Sequence, residues 1–342
     1  MRYVTLGRTG LAVSEVGFGC IPIIRLSTDD AVAVLRHAFD RGITFFDTAN
    51  AYRDSEEKIG AAFAGMRDKV VLATKTLLRG AEGATMHLEN SLRMLRTDHL
   101  DLYQLHQIAQ EKDWQEVMGP SGALEAVMKA KAEGKVRHVG VTSHNLQMAL
   151  TLVNSGLFDT IQFPFNLIEE GAKDELIGAA RDRGMGFIVM KPFGGGAIDN
   201  AAVAFKYLRE HPDAIPIPGF ESIAQVDEVL SFYARPNVVT GQDREAMEQY
   251  RGMLGKSFCR RCEYCQPCPR GVMITPAMGY PIVASRMSPA VAVQFSQKPM
   301  ESVPLCNECG ACVERCPYEL QIPEMLKANR ALYEKHLREA QA

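Results

Sequence analysis

No run of apolar residues in this chain approaches the roughly 18 that a membrane span needs, so no transmembrane helix and no membrane partner are expected. Charge of one sign is equally scarce. Thirty-eight basic and 41 acidic residues leave a formal charge of -3, which lacks the basic excess by which general nucleic-acid binders neutralise phosphate. The opening residues, MRYVTLGRTGLAVSEVG, hold no apolar core and no small-residue cleavage site; no secretory leader is predicted, and the expected location is the cytoplasm. The fingerprint GxGxxG is missing too. The first apolar strand runs into GFGCIPII, with neither that spacing nor an immediate helix, which argues against an open dinucleotide-binding sheet. Cysteine is nearly absent from the first three quarters of the chain, where Cys20 stands alone, while eight of the nine cysteines fall between 259 and 316.

What is present divides the same way. Length and an apolar content of 46% suit two globular domains. Residues 1–245 carry 26 basic and 32 acidic residues and 246–342 carry 12 and 9, so the charge changes sign where the cysteines begin. In the first part, apolar runs rich in Val, Ile and Phe begin near 14, 44, 70, 101, 136, 160, 186 and 214. Between them lie helical patterns such as Val32, Leu35 and Phe39, or Leu88, Leu92 and Leu95. Ser27 or Thr28, Ser55, Thr85 and Ser222 are candidate helix caps, and Gly42, Gly134, Gly156 and Gly184 stand at expected helix ends. Runs such as VVLAT and FIVM do not alternate with polar residues, as suits parallel strands covered on both faces. Eight strand-helix units in this length predict an α/β fold, a (β/α)8 TIM barrel over 1–245, followed by a different object over 246–342.

Chemistry in such barrels sits where strands end. The second expected strand ends FFDTANAY, with Asp47 and then Tyr52; the third ends at Lys75 in VLATK; the fourth, LDLYQLH, ends at His106. A phenol ionises near pH 10, and a lysine beside it favours phenolate, while Asp47 would keep that lysine charged. His106 could orient a carbonyl oxygen or relay a proton. These residues resemble the aldo-keto reductase superfamily, whose tetrad of Asp, Tyr, Lys and His stands at these strand ends in this order. FDTANAYRDSEEKIGAAF, ATK at 73–75 and DLYQLH at 101–106 carry the likeness, which covers about 3–235. It implies an NAD(P)H-dependent oxidoreductase interconverting an aldehyde or ketone and an alcohol by hydride transfer. Tyr52 would be the general acid, Lys75 and Asp47 would tune it, and His106 would position a small carbonyl or alcohol substrate. An electron-transfer or regulatory barrel that binds nucleotide without turning over carbonyls is the alternative.

Phosphate sites in barrels use the loops after strands 7 and 8 and a helix N-terminus. KPFGGG, with Pro192, Gly194, Gly195 and Gly196, and PGFES, with Gly219, Glu221 and Ser222, occupy those places, and Gln225 and Glu228 follow on the last barrel helix. The resemblance further implies nicotinamide contacts from Thr142 and Ser143 in GVTSHN and from Gln162, with Met190 where many members stack a Tyr. Glu221 stands where the family commonly has Lys or Arg against the adenosine 2'-phosphate. A carboxylate there repels that phosphate and can accept from a ribose hydroxyl, so NADH is expected over NADPH; Arg79 or Lys256 could supply the phosphate contact instead. The adenine contact often made by Asn is missing, because Val229 follows Glu228. Cys20 reads as a small buried residue lining the cofactor site. Trp114, in the long loop after the fourth strand, either touches substrate or pins the loop, and His37, His138 and His144 show no ligand spacing.

The tail reads CRRCEYCQPCP at 259–269 and CNECGACVERCP at 306–317. The second is the bacterial ferredoxin run Cx2Cx2Cx3CP, and the first is one residue shorter in its last gap. Zinc is the plainer alternative, since CxxC pairs also ligate zinc. The likeness to two-cluster ferredoxins implies an iron-sulfur module with crossed ligands. Cys259, Cys262, Cys265 and Cys316 would hold one [4Fe-4S] cluster and Cys268, Cys306, Cys309 and Cys312 the other, although the short gap bears on that crossing. The domain is expected to be mainly helical, with 271–304 either separating the runs or covering the barrel mouth. The last stretch is expected to form a helix that part-buries Met325, Leu326, Leu332 and Tyr333. An electron-transfer protein would be a further partner.

Overall fold

The computed structural model describes residues 1–285 and 287–341, the last of these by its backbone alone. Two compact units emerge. The first comprises Met1–Gly194 and Ile198–Ala246; the second begins at Met247 and takes in Gly195–Ala197. The helix Gly241–Leu254 contains the division.

Ten strands occur among the described residues: β1 (Tyr3–Thr5), β2 (Ala12–Ser14), β3 (Phe18–Gly19), β4 (Phe45–Asp47), β5 (Val71–Thr76), β6 (Leu100–Leu105), β7 (Val136–Thr142), β8 (Thr160–Pro164), β9 (Gly186–Met190) and β10 (Ala214–Pro216). Strands β3 to β10 form one parallel sheet in sequence order, with helices in each connection. Its two edges meet. Gly17 N donates to Pro216 O (2.9 Å) and Gly19 N to Pro218 O (2.8 Å), which closes the sheet into an eight-stranded barrel. A side chain on Gly19 would come within 2.6 Å of Ile217 O, so the seam itself requires glycine.

The apolar run expected near 14 is divided. Ala12–Ser14 pairs antiparallel with Tyr3–Thr5, and the first barrel strand starts only at Phe18. Leu6 and Val13 of this hairpin pack with Phe45, Ala73, Leu102, Ile188 and Ile215 into one core cluster, which fills the end of the barrel where the strands begin. Alternation then decides what stands above that layer. Side chains two apart share a face, so Asp47 follows Phe45, Lys75 follows Ala73, and Gln104 and His106 follow Leu102 towards the strand ends.

Helix ends follow local chemistry, with two departures. Ser27 and Ser222 cap as expected, accepting from Asp30 N (3.1 Å) and Gln225 N (3.3 Å). Ser55 instead begins its helix behind Asp54, its hydroxyl donating to Cys20 O (2.9 Å) and paired with Thr48 Oγ1 (2.8 Å). Thr85 lies inside Ala81–Met94 and donates to Ala81 O (2.9 Å). Trp114 lies on a helix, Glu111–Met118, and packs against Phe158, its ring centroid 6.1 Å away.

The second unit is helical: Ile274–Met278, Tyr280–Ala284, Pro289–Ser302, Ala311–Glu314 and Ile322–Gln341. Leu326, Asn329 and Tyr333 turn one face of the last helix inward. Asn329 Nδ2 donates to Ala277 O (3.1 Å), and the Tyr280 and Tyr333 rings meet edge to face at 5.5 Å. Met325 and Leu332 pack on the same core from its margin. No helix among the described residues is long and apolar enough to cross a membrane.

Candidate active site and cysteine cavities

At the strand ends of the barrel four ionisable side chains come together. Lys75 and Asp47 are 1% and 3% exposed, and Lys75 Nζ donates to Asp47 Oδ1 (2.6 Å) and to Thr48 O (2.6 Å). The same ammonium lies 5.2 Å from the centre of the Tyr52 ring, which meets the His106 ring edge-on at 5.9 Å. Burial raises the Asp47 carboxyl against the pull of Lys75. For Lys75, burial favours the neutral amine, but the Asp47 carboxylate outweighs it and holds the ammonium's pKa above its ordinary value.

One expectation about proton affinity comes out differently. Lys75 does pull the Tyr52 phenol down, but burial is the larger effect and the net direction is upward. The Tyr52 phenol is therefore protonated. His106 is pushed down to about 3 by burial, then by the charges of Lys75 and Arg79, so its imidazole is neutral; its buried Nδ1 has no hydrogen-bond partner.

Sequence reasoning missed Gln104. Its Nε2 donates to Asp47 Oδ2 (2.9 Å), so both carboxylate oxygens are engaged and the carboxylate cannot rotate away from Lys75. An amide two residues before His106, on the same face of the strand, was the available signal. Gln162 Nε2 reaches Asp47 Oδ1 at 3.5 Å, and its Oε1 is buried without a partner. Cys20 is fully buried, with its Sγ 3.5 Å from Phe18 O.

Of the expected cofactor contacts, Ser143 is buried beside Gln162, its backbone N donating to Gln162 O (3.1 Å), while Met190 closes β9 and Pro192 follows it. Thr142 is buried at the end of β7, and its Oγ1 accepts from Gln107 N (2.8 Å), which leaves the hydroxyl hydrogen uncommitted by that bond. Gly194 has φ 57°, and Gly195 and Gly196 are grouped with the second unit. Gly219 and Glu221 lead into the helix Ile223–Tyr233, which Ser222 caps and on whose first turns Gln225 and Glu228 are exposed. Glu221 is paired with Arg25, a partner no sequence pattern indicated. Neither suggested substitute cation is free: Arg79 donates to His106 O (2.7 Å) and Gln107 O (2.8 Å), and Lys256 pairs with Glu319 (2.8 Å).

Residues 15–203 match the aldo/keto reductase family, more than half of the chain. The chain belongs to this family. Residues 258–321 match the 4Fe-4S dicluster domain, so a ferredoxin-type module follows an aldo-keto reductase barrel in one oxidoreductase chain. The uncharacterized oxidoreductase YrpG of Bacillus subtilis is 35% identical over 234 residues, 59% of this chain and 70% of its own. The aldo-keto reductase YhdN of the same organism is 35% identical over 202 residues, and the match spans 59% of its length. Among solved structures, an aldo-keto reductase from Klebsiella pneumoniae in complex with NADPH superposes with a TM-score of 0.60 at 26% identity, covering 73% of this chain and 95% of that one.

In the dicluster module the cysteines line two cavities. One is lined by Cys259, Cys262, Cys265 and Cys316, the other by Cys268, Cys306, Cys309 and Cys312. Burial, reinforced by neighbouring thiols, pushes Cys262 up to about 11 and Cys265 up to about 12. Such thiols ionise only when a cationic centre displaces their protons. Among the described residues no three His, Cys, Asp or Glu side chains converge as ligands of a single metal ion would. Four thiols line each cavity, within the stretch that matches the 4Fe-4S dicluster domain.

Proposed function

We propose that the barrel interconverts aldehydes or ketones and alcohols using a nicotinamide dinucleotide, with Tyr52 as the proton donor, and that the tail carries two [4Fe-4S] clusters. The observation that carries the catalytic reading is the buried Lys75–Asp47 pair beside a protonated Tyr52 and a neutral His106. A bound dihydronicotinamide supplies the hydride. Gln162 Oε1 and Ser143 suit its carboxamide, since the first is a buried acceptor lacking a donor and the second is adjacent to it. Met190, Pro192 and Gly194 would border the nicotinamide and pyrophosphate. Gly219, Ser222, Gln225 and Glu228 would serve the adenosine half at a helix N-terminus.

The residues divide the proton work. Tyr52 donates to the oxygen that becomes the alcohol, and the Lys75 ammonium, held by Asp47 and Gln104, stabilises the phenolate left behind. His106, uncharged, orients the carbonyl oxygen without competing for the proton. Reduction needs the phenol protonated, a condition met below its raised pKa and lost only as pH rises through it. We expect kcat/KM for carbonyl reduction to stay flat as pH rises from neutrality and to fall only above the ordinary phenol range, about 10. An inflection near neutrality that vanishes in His106→Ala would show that the imidazole titrates there, against this reading.

Glu221 favours NADH. One carboxylate oxygen engages Arg25, and the other is available to a ribose hydroxyl. In Glu221→Lys, Arg25 loses its counter-charge and a second cation joins it. A charge-assisted contact of about 1.5–3 kcal/mol should then raise the NADPH/NADH ratio of kcat/KM by roughly 10- to 100-fold. A wild-type protein that already prefers NADPH would remove this part of the proposal. Turnover is tested by anaerobic purification, assay of iron and sulfide, and NADH oxidation against a panel of carbonyls; absence of turnover across the panel would overturn the reading. The solvent-exposed Cys309 gives a small electron-transfer protein access to the second cluster.

A further inference from the structure

The two cysteine cavities are not equivalent. The one formed by Cys259, Cys262, Cys265 and Cys316 is also lined by Arg260, Arg261, Thr275 and Tyr318, and by one carboxylate, the half-buried Glu263. Arg260 is 8% exposed, its Nη1 donating to Gly255 O (2.7 Å) and Phe258 O (3.0 Å) and its guanidinium 4.1 Å from the centre of the Tyr318 ring. Its Nε is buried without a hydrogen-bond partner, as are Nε and Nη2 of Arg261, and no carboxylate pairs with either arginine among the described residues. Cys265 Sγ lies 4.0 Å from the buried hydroxyl of Thr275. The second cavity has Arg270 and Arg315, but both are exposed, Arg315 donates to the carbonyls of Ala311, Gln266 and Pro267, and Glu308 pairs with Lys327.

A guanidinium taken out of water without a counter-charge costs several kcal/mol, so a buried arginine with no carboxylate implies an anion not supplied by the protein's own acidic residues. A [4Fe-4S] cluster with four thiolates is such an anion, a dianion when oxidised and a trianion after gaining one electron. Fixed positive charge in a poorly hydrated site stabilises the trianion most, whereas exposed charges around the second cavity are screened. We infer that Arg260 is the counter-cation of the Cys259, Cys262, Cys265 and Cys316 set and raises the reduction potential of the cluster held there. This rests on the reading that the tail carries clusters; the reduction itself is a one-electron transfer from an external reductant that breaks no bond in the protein.

The test uses the full chain, purified anaerobically and titrated with dithionite while electron paramagnetic resonance follows each cluster. Iron and sulfide in the wild type are measured first: zinc in their place ends the cluster reading itself, independently of Arg260. With clusters present, Arg260→Gln should lower one of the two midpoints by at least a tenfold change in the reduction equilibrium, about 59 mV for a one-electron couple. The other midpoint should hold, and Arg260→Lys should keep most of the wild-type value. If Arg260→Gln loads only half the iron while Arg260→Lys loads all of it, the counter-cation role is supported by assembly. Unchanged midpoints in fully loaded Arg260→Gln overturn the inference. So do equal falls, or equal iron losses, in the Gln and Lys variants, which would mark Arg260 as packing on Tyr318 and the loop carbonyls.

Discussion

Replacing Tyr52 with phenylalanine should lower kcat for carbonyl reduction by about 10²- to 10⁴-fold, the usual contribution of a positioned general acid. The substitution is clean because it removes one oxygen and nothing else. The ring that packs edge-on to His106 and beside the Lys75 ammonium stays, and Lys75 keeps its bonds to Asp47 Oδ1 and Thr48 O. Nicotinamide affinity, read by fluorescence titration, should therefore be unchanged, with kcat and kcat/KM falling together as expected for an interaction made only in the transition state. Lys75→Met is a poorer test. It would leave Asp47 charged and buried with only amide partners, a destabilisation of about 3–5 kcal/mol that confounds lost chemistry with lost folding. A fall of less than tenfold in Tyr52→Phe would remove Tyr52 from its role.

How much of this was legible in the sequence depends on the range of each interaction. The eight-fold period and the polar ends of the second, third and fourth barrel strands are local patterns, and the structure brings Asp47, Tyr52, Lys75 and His106 together as those patterns imply. The hairpin was not legible. Ala12–Ser14 reads like a barrel strand, and only the partner Tyr3–Thr5 turns it into a plug beneath the core. Caps that obey nearest-neighbour chemistry, Ser27 and Ser222, were found, whereas Ser55 is diverted by the distant Cys20 carbonyl. The Arg25–Glu221 pair joins opposite ends of the barrel sequence, so the charge at the cofactor loop could be read but its neutralising partner could not. Tyr52 shows the same limit in energetic form: its neighbour's charge is visible in sequence, but the burial that outweighs it belongs to the folded barrel.

The ligand partition of the eight tail cysteines is the other large effect, and paired substitutions resolve it. The first run is short by one residue before its fourth cysteine, and that cysteine, Cys268, lines the cavity of Cys306, Cys309 and Cys312, while Cys316 lines that of Cys259, Cys262 and Cys265. With crossed ligands, Cys259→Ala/Cys316→Ala removes two thiolates from one cluster, and the chain should retain about half its iron and one set of paramagnetic signals. Cys259→Ala/Cys306→Ala removes one from each and should leave neither cluster intact. If each run instead bound its own cluster, Cys259→Ala/Cys268→Ala would be the pair that spares half the iron, and Cys259→Ala/Cys316→Ala would lose nearly all of it. The outcomes differ in iron content alone, so they do not depend on whether the variants turn over substrate. Because Cys265 and Cys312 are buried in the helical core, with Cys259, Cys268, Cys306 and Cys316 packed against it, the same partition decides which part of the tail each cluster holds together. The crossed set ties the loop at 259–265 to Cys316 at the far end of the module, so each cluster would staple segments that the chain alone leaves distant.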